Sequence, residues 1–109
     1  MVTARVFLDA DDDVAARRVC RRFVERYVRP ECLGAAVHVH ESGRYDKIPE
    51  HFEVNLAIPV ADVRLAHDLL PRLERAIGTG WQEGVCATNA GGKIACEGVR
   101  WVSLAVVGK

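Results

Sequence analysis

Two histidines one residue apart, His38 and His40, raise the question of metal chemistry. On a β-strand, residues i and i+2 share a face, which would set the two imidazoles roughly 7 Å apart. His51 or Glu53 on a neighbouring strand would add a third nitrogen or oxygen, the beginning of a zinc site. The pattern specifies no fourth ligand. The expectation is therefore polar surface residues, with His38, His40 and His51 as the metal candidates and no cofactor. Cys32 precedes His38 and His40 in one segment, the residue types of a thiol–imidazole pair for acyl transfer. Nothing around them reads as a nucleophile turn or an oxyanion hole, so no catalytic residues are expected.

The cysteines Cys20, Cys32, Cys86 and Cys96 contain no Cys-x-x-Cys pair, which removes the zinc-ribbon and thioredoxin-like patterns. Cys20 falls in an apolar helical stripe, where a thiol packs as a small hydrophobe. A hairpin turning on Ala90-Gly91-Gly92 would set Cys86 opposite Cys96, close enough for a cross-strand disulfide on oxidation. In a reducing compartment both are expected as thiols.

Arg17, Arg18, Arg21, Arg22, Arg26 and Arg29 make six arginines in thirteen residues, opposed by Glu25. The bland reading is a solvated helix face; the sharper ones are an RNA phosphate contact or docking of an acidic partner. Fifteen basic and fifteen acidic residues cancel, and no strand carries an aromatic RNA-recognition motif, so nucleic acid is not expected as a partner. Gly91-Gly92-Lys93 lacks the spacing of a phosphate loop and reads as a turn.

The elements that must position these groups follow from periodicity. A chain of 109 residues, half of them apolar, fits a single domain, 1–109, with a real core. Residues 3–10 predict a strand, and Asp11, Asp12 and Asp13 favour a helix start. Ala16, Val19, Cys20, Phe23 and Tyr27 carry that helix to about Arg29, before Pro30. Leu33 to His40 predicts a second strand and Glu41 to Glu50 a long hairpin loop. His51 to Ile58 alternates strictly, with Phe52, Val54, Leu56 and Ile58 on one face. Asp62 caps a second helix with stripe Val63, Ala66, Leu69, Leu70, Leu73 and Ile77, in which Pro71 predicts a kink or restart. A hairpin around 89–92 and a strand from about Val99 to Val107 complete the chain. The order implies an α+β class: a ferredoxin-like βαββαβ two-layer sandwich, mostly antiparallel, with an extra C-terminal β-hairpin.

Such a sandwich leaves one sheet face open. Alternation turns Arg5, Phe7, Asp9, His38, His40, His51, Glu53, Asn55, Trp101 and Ser103 outward. Aromatics with Arg and His are enriched at interfaces, so this face is the expected docking surface. The partner-binding candidates are Arg5, Phe7, His38, His40, Arg44, Tyr45, Glu53 and Trp101, the loop pair Arg44 and Tyr45 extending it at one end. The chain's own C-terminal segment or a second copy, giving a homodimer, are the alternative occupants.

The run Arg44-Tyr45-Asp46-Lys47-Ile48 leading into Phe52-Glu53-Val54-Asn55-Leu56, and the glycine-led Gly98-Val99-Arg100-Trp101-Val102-Ser103-Leu104, resemble the small single-domain immunity proteins of bacterial polymorphic toxin systems. The resemblance implies a non-catalytic domain that binds and blocks one cognate toxin; it transfers no site residues. The start of the chain lacks a signal-like apolar stretch and no apolar run reaches membrane-span length, so a cytoplasmic protein with no membrane partner is expected. The competing readings are a dimeric small-molecule-sensing regulatory domain and, behind it, a small His/Cys metal-dependent enzyme.

Overall fold

The computed structural model describes residues 1–44, 51–89 and 91–108. Strand β1 (Val2–Asp9) lies at the centre of a five-stranded antiparallel sheet ordered β2-β3-β1-β7-β5, formed with β2 (His38–Arg44), β3 (His51–Ile58), β5 (Val85–Ala87) and β7 (Val99–Val106). Helices α1 (Asp13–Phe23) and α2 (Val63–Ile77) pack on one face. The core is where their stripes meet the alternating residues of the sheet. Ala16, Cys20 and Phe23 of α1 and Ala66, Leu69, Leu73 and Ile77 of α2 lie with Val2, Ala4, Val6 and Leu8 of β1 and Phe52, Val54, Leu56 and Ile58 of β3. The molecule is an α+β sandwich whose other sheet face carries no helix among the described residues.

Both helices start where an aspartate side chain satisfies an otherwise unpaired backbone donor. Asp12 Oδ1 accepts from the Ala15 N–H at 2.8 Å, and Asp62 Oδ1 accepts from the Leu65 N–H at 3.0 Å. α1 then widens into a π-helical turn, Val24–Val28, in which the Arg29 N–H reaches back to the Val24 carbonyl. The widened turn buries Val24 and Val28 together, and the Tyr27 hydroxyl donates to the Ala95 carbonyl at 3.3 Å. Pro30 sits inside a short 3₁₀ turn, Arg29–Glu31, that closes the segment. α2 runs unbroken through Pro71, so no restart occurs there. Its end is capped by the indole of Trp81, whose Nε1–H donates to the carbonyls of Glu74 at 2.8 Å and Gly78 at 3.2 Å.

Two expectations from the sequence are overturned. The second strand does not begin at Leu33: Leu33 and Gly34 adopt φ of +51° and +90°, a left-handed turn that an extended strand cannot contain, and pairing begins at His38. β2 instead continues to Arg44, which pairs with Phe52, so Arg44 belongs to a strand rather than to the loop. Tyr45 and the rest of 45–50 lie outside the described residues. The C-terminal hairpin is also rearranged. β5 pairs with β7, setting Cys86 opposite Val102, while β6 (Lys93–Ile94) pairs with β4 (Gly78–Thr79) in a separate two-stranded sheet. The late segment thus divides its hydrogen bonds between two partners, and Cys86 and Cys96 are not cross-strand neighbours. Gly78 permits the second pairing, since a Cβ there would lie 2.1 Å from the Lys93 carbonyl oxygen.

Candidate binding surface

The face of the sheet without helices is built in rows across the strands. Phe7 on β1 is flanked by Glu53 on β3 and Trp101 on β7, and Trp101 is flanked in turn by Ala87 on β5. The next row is Asn55, Arg5, Ser103 and Val85, and the one beyond it Ala57, Thr3 and Ala105. Directly paired residues share a face, so these rows form one surface.

Arg5 organises its centre. Its Nε donates to Glu53 Oε1 at 2.7 Å, and its guanidinium carbon lies 5.3 Å from the Phe7 ring centroid. A cation over the π-face is attracted by the ring quadrupole. Beneath this cover Phe7 is only 8% exposed, whereas Trp101 beside it is 37% exposed. A bulge follows: Leu8 pairs with Val99, which makes Arg100 the extra residue. Arg100 forms an ion pair with Asp9 at that end of the face. Next to Trp101, a hollow of about 710 Å³ is lined by Gly80, Gln82, Glu83, Val85 and Ala87. The surface therefore presents a half-exposed indole, a buried ring under a cation, a carboxylate and an adjacent hollow.

The histidines lie toward the ends of this surface, away from its centre. His38 pairs with Ala57 and His40 is the extra residue of a second bulge, both exposed at the far end of β3, with ring centroids 6.4 Å apart. His51 pairs with Asp9 at the opposite end of that strand. Positions 51 and 57 are six steps apart along the strand, roughly 20 Å at the usual rise. Register thus keeps His51 away from His38 and His40, which a shared metal site would need to bring together, and the Glu53 carboxylate is engaged by Arg5. Among the described residues no group of three or more His, Cys, Asp or Glu could hold a metal ion.

All four cysteines are free and buried. Burial pushes each thiol up, Cys20 to about 11 with the neighbouring Cys96 adding to the shift. Cys32 is raised by burial against the opposing pull of Arg72 and Arg29, and its Sγ donates to the Val28 carbonyl at 3.1 Å. Burial and this hydrogen bond both favour the protonated thiol over the thiolate. Cys86 likewise donates to the Thr79 carbonyl at 3.1 Å.

Of the residues singled out by sequence, the fold brings Arg5, Phe7, Glu53 and Trp101 together and sets His38 and His40 apart from them. The backbone of Arg44 lies at the end of β2, and Tyr45 is outside the described residues. Sequence reasoning missed the hollow at Gln82, Glu83, Val85 and Ala87, because β5 is only three residues long and carries no alternation to read. It also missed Arg100, whose role depends on a bulge set by pairing with β1. No protein-family model, curated protein or solved structure matches this chain. No helix among the described residues is long and apolar enough to cross a membrane.

Proposed function

We propose that this chain is a non-catalytic protein-binding module that docks its partner on the open sheet face, in the role of an immunity protein neutralising a cognate bacterial toxin. The observation that carries the docking surface is the row Glu53–Phe7–Trp101, with Arg5 bridging the carboxylate and the ring. A rigid aromatic pair beside an oriented ion pair is the composition of an interface anchor. The toxin as partner is supported by the resemblance in the segments around Arg44–Leu56 and Gly98–Leu104. The strand order, with β1 between β3 and β7 and β2 outside β3, supports reading the sheet as ferredoxin-like with β5 added at one edge. Four buried thiols fit a reducing cytoplasm.

The test is genetic and then biochemical. The product of the adjacent gene is expressed alone and together with this chain, and the two purified proteins are titrated. Growth arrest relieved by co-expression, with binding lost in Trp101→Ala, supports the reading; a harmless neighbour that does not bind removes it.

A second copy of the chain is the competing occupant. The small side chains Thr3, Ala57, Ser103, Ala105 and Ala87 leave room for a second sheet to approach closely. Light scattering of the purified chain decides: a dimer dissociated by Ala57→Arg assigns the face to self-association.

A further inference from the structure

The helix layer does not cover the sheet out to its β2 edge. Between α1 and β2 lies a groove of about 290 Å³, with Cys20, Val24 and Val54 as its buried lining and Val37 and Val39 on the strand side. Val39 is 56% exposed although its strand partner Leu56 belongs to the core. An isolated exposed valine needs no explanation, but one that walls an apolar trough does. The volume is at the small end of ligand pockets, room for an alkyl chain rather than a helix.

The helix side of the groove is a row at four-residue spacing: Arg17, Arg21, Glu25 and Arg29. Two of its arginines are already compensated, Arg17 by Asp13 one turn back and Arg29 by Glu25 at 2.8 Å. Arg21, between them, has no ion-pair partner among the described residues. The floor carries no charge at neutral pH, where a thiol of ordinary value 9.0 is already protonated and burial pushes Cys20 higher still. An apolar trough beside one uncompensated guanidinium complements a chain with a single anionic head. Self-pairing of two β2 edges is less suited, since it would bring the arginine-rich α1 helices of two copies toward each other.

We propose that this groove binds one free aliphatic carboxylate, its chain against Val24, Val37, Val39 and Val54 and its head on Arg21. The site is on the helix side of the sheet and is independent of the open face.

Titration of the isotope-labelled chain with hexanoate, octanoate and decanoate, each below its micelle concentration, tests this by amide shifts. Saturable shifts confined to residues 17–29, residues 37–39 and Val54 are expected. Affinity should rise about fourfold per added methylene until the groove is full, then level off. Arg21→Gln should weaken octanoate by about tenfold while leaving octanol unchanged. Val39→Glu, at an exposed position, should abolish binding; if that variant does not fold, the Arg21→Gln and octanol comparison decides alone. Absence of saturable shifts, octanol binding as tightly as octanoate, or affinity that keeps rising with chain length overturns the proposal. Binding only to phosphatidylglycerol vesicles would assign the groove to a lipid surface. Shifts at β2 that depend on protein concentration alone would assign it to a second copy. Either result also overturns it.

Discussion

Phe7 and Trp101 stand directly opposite each other on β1 and β7, one step before the bulge at Arg100. The pairing joins a ring hidden under the Arg5 guanidinium to an indole that remains over a third exposed. The hidden ring fixes the platform and the exposed one is available to a partner. This division of labour follows from the register, since a slip by one residue would send both side chains into the helix layer.

Replacing Trp101 by Ala should therefore separate binding from folding. Loss of a central aromatic anchor is expected to cost about 2 kcal/mol or more of partner affinity. Thermal melting should fall less than it would for a core aromatic, because over a third of the residue is already solvated in the free protein. Calorimetric titration against the partner checks the first expectation, and unchanged affinity would remove Trp101 from the interface.

The Arg5–Glu53 pair lies on the open face and is partly solvated, so it adds little to folding. With side chains 53% and 22% exposed, the pair is worth roughly 0–1 kcal/mol to folding. Arg5→Ala should leave the urea midpoint nearly unchanged while uncovering Phe7 and weakening the partner complex. A large drop in the midpoint would show instead that the cation over the ring supports the fold.

Gly78 is a steric requirement. Its φ of 174° is ordinary extended backbone, so any penalty for a side chain must come from contact, and an added Cβ would meet the Lys93 oxygen at 2.1 Å. Gly78→Ala should destabilise by about 1–3 kcal/mol, the usual cost of overpacking. Gly43→Ala, where nothing lies within 4 Å of the added methyl, is the matched control and should melt close to the parent.

The buried thiols predict a fall in stability at alkaline pH. The Cys20 thiol rises from an ordinary value of 9.0 to about 11 in the fold, so in that range the folded chain holds a proton that the unfolded chain releases. The contribution is fully present below pH 9.0 and is lost as pH climbs toward about 11. Urea midpoints across this range should decline, and Cys20→Ala should flatten the decline. Equal slopes in parent and variant would refute the assignment. At neutral pH the native chain should also react slowly with aromatic disulfides and expose all four thiols on unfolding.

Much of the fold was legible where the signal is local and repeated. The two aspartate caps, the helix stripes and the alternation of Phe52, Val54, Leu56 and Ile58 each arise from residues within a few positions of one another, and the core contains them. From these alone the sequence determined two helices on one face of an antiparallel sheet, with Arg5, Phe7 and Glu53 turned to the other. It did not determine where β2 begins, because Leu33 entering a left-handed turn carries no marker that a β-compatible run lacks. Nor did it determine the partners of β5 and β6. Two- and three-residue strands offer the same backbone donors and acceptors to any neighbour, and the nearest one in sequence lost to β7 and β4. Only the assembled tertiary structure decided that competition. It alone set Cys86 opposite Val102 rather than Cys96, made the bulge at Arg100 and left the trough between α1 and β2 open, because each depends on contacts between segments that the sequence holds far apart.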